Sequence, residues 1–241
     1  MKKIVFLLFF TIVTHSQIGK EISYGFYAGA VYSKMNNIQN TIIPPNIYTN
    51  FSTTEKDKFG ALAGVFLNWK YPRANISFQP EIFYSRQATD FNYNDNKGLN
   101  YQIKFDYHNL NLGFLFKYYI HEGLYLGIGP NVALNLNRNN ISYTSNGAEM
   151  EQKYGVSFTP DPIVQKTLKE SLEGTDYFQG IFGIGYEFQN KLVLGFRYHL
   201  GLTDALETKE NGHRFIDNNN KTNAFSLHIG YKFDFDDSNN F

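Results

Sequence analysis

The chain has 241 residues, 42% hydrophobic and 17% aromatic, with 23 Phe and 18 Tyr; aromatic side chains suit a pleated sheet, whereas helices draw on Ala, Leu, Glu and Lys. Formal charge is zero, with 22 basic and 22 acidic residues, so no basic field exists to hold nucleic acid. Cysteine is absent, which excludes a disulfide framework, a thiolate metal site and a cysteine nucleophile.

The first expected element is a leader. Met1-Lys2-Lys3 precedes an apolar run from Ile4 to Val13 and then Thr14-His15-Ser16-Gln17. A basic start, about ten apolar residues and the small side chains Thr14 and Ser16 before a cut make the layout of a secretory signal, too short to span a bilayer as a helix. Residues 1–16 are therefore expected to be a signal peptide and 17–241 a single β-barrel domain. No later run of about eighteen apolar residues occurs, which excludes membrane helices.

Eight alternating segments follow, covering about 23–33, 59–70, 74–85, 109–118, 124–132, 177–188, 192–201 and 225–233. The third is the clearest: Ile76, Phe78, Pro80, Ile82 and Tyr84 lie on one face, and Ser77, Gln79, Glu81, Phe83 and Ser85 on the other. Ten residues is the length a tilted strand needs to cross hydrocarbon. Connections run long, short, long, short, long, short, long: 34–58, 70–73, 87–103, 120–122, 136–175, 189–190 and 203–222. Strict alternation of tight turns and long loops is the pattern of outer-membrane barrels, and an even strand count puts both termini on the periplasmic side. The expected fold is an eight-stranded antiparallel up-and-down transmembrane β-barrel with short periplasmic turns and long extracellular loops. Within the third long loop, Asp161-Pro162, Val164, Leu168, Leu172 and Gly174 predict a short helix over 162–173, with Asp161 as N-cap and Gly174 as C′ residue.

A soluble barrel alternates as well, so the faces must decide what lies outside. One face of every strand is nearly free of charge. The other is rich in Gly, Ser, Asn and Gln and carries Glu81, Lys117, Glu187, Arg197, His199, His228 and Lys232. Eight strands enclose a narrow lumen, too narrow for eight rows of Phe, Leu, Ile and Tyr, so these rows are expected to face lipid. Tyr24, Tyr32, Trp69, Tyr84, Tyr118, Tyr186, Tyr198 and Phe233 stand near strand ends, where interfacial girdles sit.

Several short motifs resemble the PorT-like outer-membrane β-barrel proteins of Bacteroidetes. They are Gly25-Phe26-Tyr27-Ala28-Gly29, Phe78-Gln79-Pro80-Glu81-Ile82, Leu126-Gly127-Ile128-Gly129-Pro130, Gly183-Ile184-Gly185-Tyr186-Glu187, Phe196-Arg197-Tyr198-His199-Leu200-Gly201-Leu202 and Ile229-Gly230-Tyr231-Lys232-Phe233. The resemblance spans nearly the whole mature chain and implies the barrel fold and an outer-membrane location. Asn109 and Asn111 stand where the family pattern has Glu and Pro. His228, Gly230, Phe233 and Phe235 also match the terminal-strand signal read by outer-membrane insertion machinery.

Within the lumen, Glu81 and Arg197 fall at similar heights on opposite walls and are expected to pair, because an isolated charge in that dry space is costly. Glu187 with Lys117 or Lys232 forms a second expected tier, and the two together plug the barrel. No HExxH, phosphate loop or paired-carboxylate motif occurs, and neither a metal nor a cofactor is expected. The expected partners are outer-membrane lipid, the insertion machinery during biogenesis and an envelope protein met through the extracellular loops. The leading reading is a structural or interaction barrel. Two others stay open: a barrel hydrolase of lipid or peptide using His199 with Asp204 or His213 with Asp217, and a component of small-solute transport.

Overall fold

The computed structural model describes residues 21–42, 50–209 and 219–235; the expected leader, residues 1–16, lies outside them. Eight long strands close into a ring. They are β1 (Glu21–Met35), β2 (Phe51–Tyr71), β3 (Ile76–Asp95), β4 (Asn100–His121), β5 (Leu124–Asn135), β8 (Tyr177–Glu187), β9 (Leu192–Gly201) and β11 (Thr222–Asp234). Every adjacent pair is antiparallel, and pairing of β3 with β4 completes the circle. Glu21 at the start of β1 faces Lys70 at the end of β2, and Tyr24 faces Phe233. Both termini of the described barrel therefore sit at the end of the tight turns.

Those turns are built by backbone geometry. Pro72–Ala74 forms one 3-10 turn closed by Asn75 in the left-handed region at φ 53°. The β4–β5 turn passes through Gly123 at φ 79°, a conformation that glycine adopts without steric cost.

The alternation puts the apolar rows outside. Phe26, Val65, Ile82, Phe116, Ile128, Phe182, Phe196 and Ile229 are each 44–58% exposed around the ring, far too much apolar surface for a barrel standing in water. Rings bracket this belt: Tyr32 with Phe59 at 4.7 Å and Tyr198 with Phe225 at 4.9 Å near one edge, Trp69 with Phe78 at 5.6 Å near the other. No described helix is long and apolar enough to cross a membrane; the strands cross it.

On the loop side the structure corrects the expected boundaries. β2, β3 and β4 have 21, 20 and 22 residues rather than ten. Residues 87–103 are not a long loop: β3 and β4 continue as one hairpin, paired from Ile76–Tyr118 up to Asn94–Asn100. At roughly 3.3 Å per residue, β4 is on the order of 70 Å long. Tilted at about 45° it rises well past a ~30 Å hydrocarbon core. The physical reason for the missed boundary is an inversion of faces. Inside the belt the inward positions of β3 and β4 are mainly polar; above it the inward positions Phe91, Tyr93, Ile103, Phe105 and Tyr107 are apolar and buried, while the outward ones become Asn, Gln, Asp and Lys. In β2 the pairing register shifts between Asp57 and Leu62, a bulge at the upper rim of the belt.

The segment 136–175 is also more ordered than a loop. It holds β6 (Ile141–Ser145), which pairs with the top of β4, and the helices α2 (Gly147–Tyr154) and α3 (Asp161–Ser171); the first helix, α1 (Ile38–Ile42), lies between β1 and β2. Short strands β7 (Leu172–Gly174) and β10 (Leu206–Thr208) pair with one another. The helix expected over 162–173 is α3, but its ends are built differently. Pro160 occupies the N-cap position, and the Asp161 carboxylate instead accepts from Ser145 N at 2.8 Å and Ser145 Oγ at 2.6 Å. Gly174 is not a C′ cap; it pairs with Leu206 in the small sheet.

Candidate functional site

The lumen is filled by layers stacked from the turn side upward. Lowest is an ionic layer. Lys117 Nζ lies 2.9 Å from Glu187 Oε1 and Lys232 Nζ lies 3.1 Å from Glu187 Oε2, while Tyr119 OH donates to Glu187 Oε1 at 2.8 Å. One carboxylate thus serves both lysines that the sequence offered as alternatives. Lys117 also stands 4.2 Å from the ring centre of Tyr125, a cation–π contact.

Above it, Arg197 clamps Glu81 across the lumen through Nη1–Oε1 at 2.6 Å and Nη2–Oε2 at 3.0 Å. Gln79 donates to Glu81 Oε2 at 2.9 Å, and the Tyr27 ring lies 5.2 Å from the guanidinium carbon. Both partners are buried, and the two-pronged geometry is what lets such a pair offset its desolvation. Glycines directly across from Arg197 and His228 on adjacent strands make the room: a Cβ on Gly183 would stand 3.1 Å from Arg197 Cγ, and one on Gly195 would stand 2.4 Å from the His228 ring.

The two histidines do not join the ion pairs. His199 Nε2 lies 3.0 Å from Ser226 Oγ and its Nδ1 has no hydrogen-bond partner in the protein. His228 packs on Tyr27 at 4.9 Å between ring centres. His199 is therefore tied into the barrel wall rather than to Asp204, and His213 and Asp217 lie outside the described residues.

A third layer is made of amides, which the sequence placed on the inner face without assigning a role. Asn131 Nδ2 donates to Asn111 Oδ1 at 3.0 Å and to Gln179 Oε1 at 2.9 Å, and Asn111 Nδ2 donates to Ser85 Oγ at 2.9 Å. Asn109 Nδ2 donates to Tyr177 OH at 3.2 Å, which donates to Gln87 Oε1 at 2.8 Å. Asn109 and Asn111, where the PorT-like pattern has Glu and Pro, are thus central to this layer. The signal was the shared inward parity of Asn109, Asn111, Asn131 and Gln179 on neighbouring strands, which Gln87 joins from the extended part of β3.

The top layer is apolar. Met35, Ile38, Phe91, Ile103, Phe105, Tyr107, Ala133, Ile141, Leu168, Leu172, Ala205 and Leu206 form one buried cluster that roofs the barrel with residues from the hairpin, α1, α3 and the β7–β10 sheet. Among the described residues no group of three or more His, Cys, Asp or Glu is placed to hold a metal ion.

A ring of antiparallel strands, apolar outside and packed with ion pairs and amides inside, defines a small outer-membrane β-barrel. The chain belongs to the family described as outer membrane protein beta-barrel domain, whose model matches residues 14–207. Its place is the outer membrane of a Gram-negative bacterium. None of the curated proteins compared matches it. Similar solved structures include Neisserial surface protein A (11% identity, 87% of this chain and 97% of that one, TM-score 0.41). Others are OprG from Pseudomonas aeruginosa (16%, 89% and 96%, TM-score 0.40) and the attachment invasion locus protein Ail of Yersinia pestis (14%, 88% and 99%, TM-score 0.36).

Proposed function

We propose that the protein is a structural and interaction barrel: a closed membrane anchor that presents a folded extracellular cap. The observation that carries this reading is the continuous filling of the lumen, two ionic layers below an amide layer below an apolar roof. A diffusion pathway needs a wet, open axis, and here the axis is occupied by side chains that hold one another. The test is reconstitution in planar bilayers. Step currents of porin size would overturn the reading; a silent bilayer containing correctly folded protein supports it.

The surface on offer is the cap, where Tyr154, Val156 and Ile163, around the segment joining α2 to α3, are 53–56% exposed. An envelope protein docking there is the partner this reading implies, and loss of co-purifying protein on deleting 154–163 is the check. The finer assignments belong to the same proposal: a signal peptide over 1–16, kinship with the PorT-like branch, and a terminal signal in β11 read by the insertion machinery. Phe233 and Phe235, 37% and 55% exposed, are on the outer face where such machinery could grip them. Removing residues 235–241 should slow insertion without altering the stability of protein already folded.

A further inference from the structure

The outward face of β2, β3, β4 and β6 above the belt forms a groove of about 680 Å³. Its lining includes Thr54, Lys56, Asn92, Asn94, Gln102 and Thr144, with the N-terminal turn of α2 along one rim. We propose that this groove binds the core oligosaccharide of the lipopolysaccharide in the protein's own outer leaflet.

Position argues first. Three of these strands, β2, β3 and β4, are the same ones that face acyl chains lower down, so whatever covers their lipid-facing rows is continuous with whatever meets the groove. Asn92 lies eight residues beyond the belt-edge Tyr84 on β3; at ~3.3 Å per residue and a ~45° tilt that is about 20 Å higher, above the acyl chains and at the level of the sugars. Chemistry argues second. Side-chain amides carry donor and acceptor groups, which is what vicinal sugar hydroxyls require; Gln102 spends both N–H groups within the groove and presents its Oε1 as an acceptor, and a face of this kind has little to offer hydrocarbon or a phosphate cluster. Lys56 and Glu149 are the charged residues of the lining, one of each sign. Pre-organisation argues third. Gln102 Nε2 donates to Asn92 Oδ1 at 2.9 Å and to Asp90 Oδ2 at 3.1 Å, and Lys58 Nζ meets the same Asp90 oxygen at 2.7 Å. The amide planes of Gln102 and Asn92 are therefore fixed before any ligand arrives, which lowers the entropy cost of binding. Because the glycolipid is confined beside the protein, a dissociation constant for the free sugar in the millimolar range suffices for occupancy.

The experiment uses the full mature chain in lipid nanodiscs, titrated with core oligosaccharide released from lipopolysaccharide by mild acid. Saturable binding is expected, weakened about tenfold in the Asn94→Ala/Gln102→Ala double variant through lost hydrogen bonds. It should be unchanged in Lys191→Ala at the opposite end and unchanged when lipid A without core sugars is added to the disc. A heat-dependent gel shift confirms that each variant is folded, and Thr54→Val supplies a second, milder change that should weaken binding in the same direction. Equal affinity in wild type and double variant overturns the proposal. So does saturation only by lipid A, or by an externally added glycosaminoglycan or protein while the core oligosaccharide does not bind.

Discussion

Cutting the Glu81–Arg197 clamp is the sharpest test of the plug. Glu81→Ala removes both hydrogen bonds at 2.6 and 3.0 Å and leaves a guanidinium in a site where its Nε already lacks a partner. The Tyr27 face 5.2 Å away recovers only part of the loss. An uncompensated buried charge costs about 3–5 kcal/mol, so the single change should lower the unfolding free energy by that amount. The paired replacement Glu81→Leu/Arg197→Met removes charge and demand together and should lie within about 1–2 kcal/mol of wild type. Trp69 is the one tryptophan of the chain, near the periplasmic edge of the belt, and its fluorescence during urea unfolding from vesicles reports the transition directly. If Glu81→Ala is neutral within about 1 kcal/mol, or if the double change costs as much as the single, the clamp is not what holds the lumen together.

Three further outcomes follow from the layers. Leu172→Ala, at a site fully buried in the roof, should cost about 2–5 kcal/mol within the cap, read as faster amide exchange over 141–174 while the heat-dependent gel shift of the barrel persists. Burial holds the phenols of Tyr101 and Tyr143, both above the belt, higher than an ordinary tyrosine. Their contribution to cap stability is complete below about pH 10 and is lost as pH rises through their folded values; alkaline titration followed by tyrosinate absorbance and circular dichroism should show the cap loosening above pH 10 and no such change from pH 6 to 9. Gly195→Leu should prevent barrel closure, since the His228 ring occupies the space its side chain needs, and insertion yield in liposomes measures this.

The membrane part of the fold was legible because one rule governs it. Lipid outside and a narrow lumen inside force a two-residue period, and Ile76 to Tyr84 obey it residue by residue. Charges could be paired from height alone: Glu81 and Arg197 share a level, and each had few other candidates. What lay hidden was everything above the belt. Residues 87–103 keep the same period, but water replaces lipid outside and the roof replaces the polar lumen inside, so Phe91, Ile103 and Phe105 carry the apolar character on the face that below is mainly polar. A search for outward apolar rows stops where the solvent changes, although the strand does not. The ends of α3 were misplaced for a related reason: Asp161 has a long-range partner in Ser145, and Gly174 has Leu206, neither visible from local spacing.

The bulge between Asp57 and Leu62 has a consequence for how this surface can change over generations. Without it, a one-residue insertion in the exposed half of β2 would propagate downward and swing Leu67 and Val65 from acyl chains into the axis, a lethal slip. With an irregular joint already present at the rim, length changes above can be absorbed there. The exposed half of the strand can therefore change length without turning the lipid-facing rows of the lower half inward.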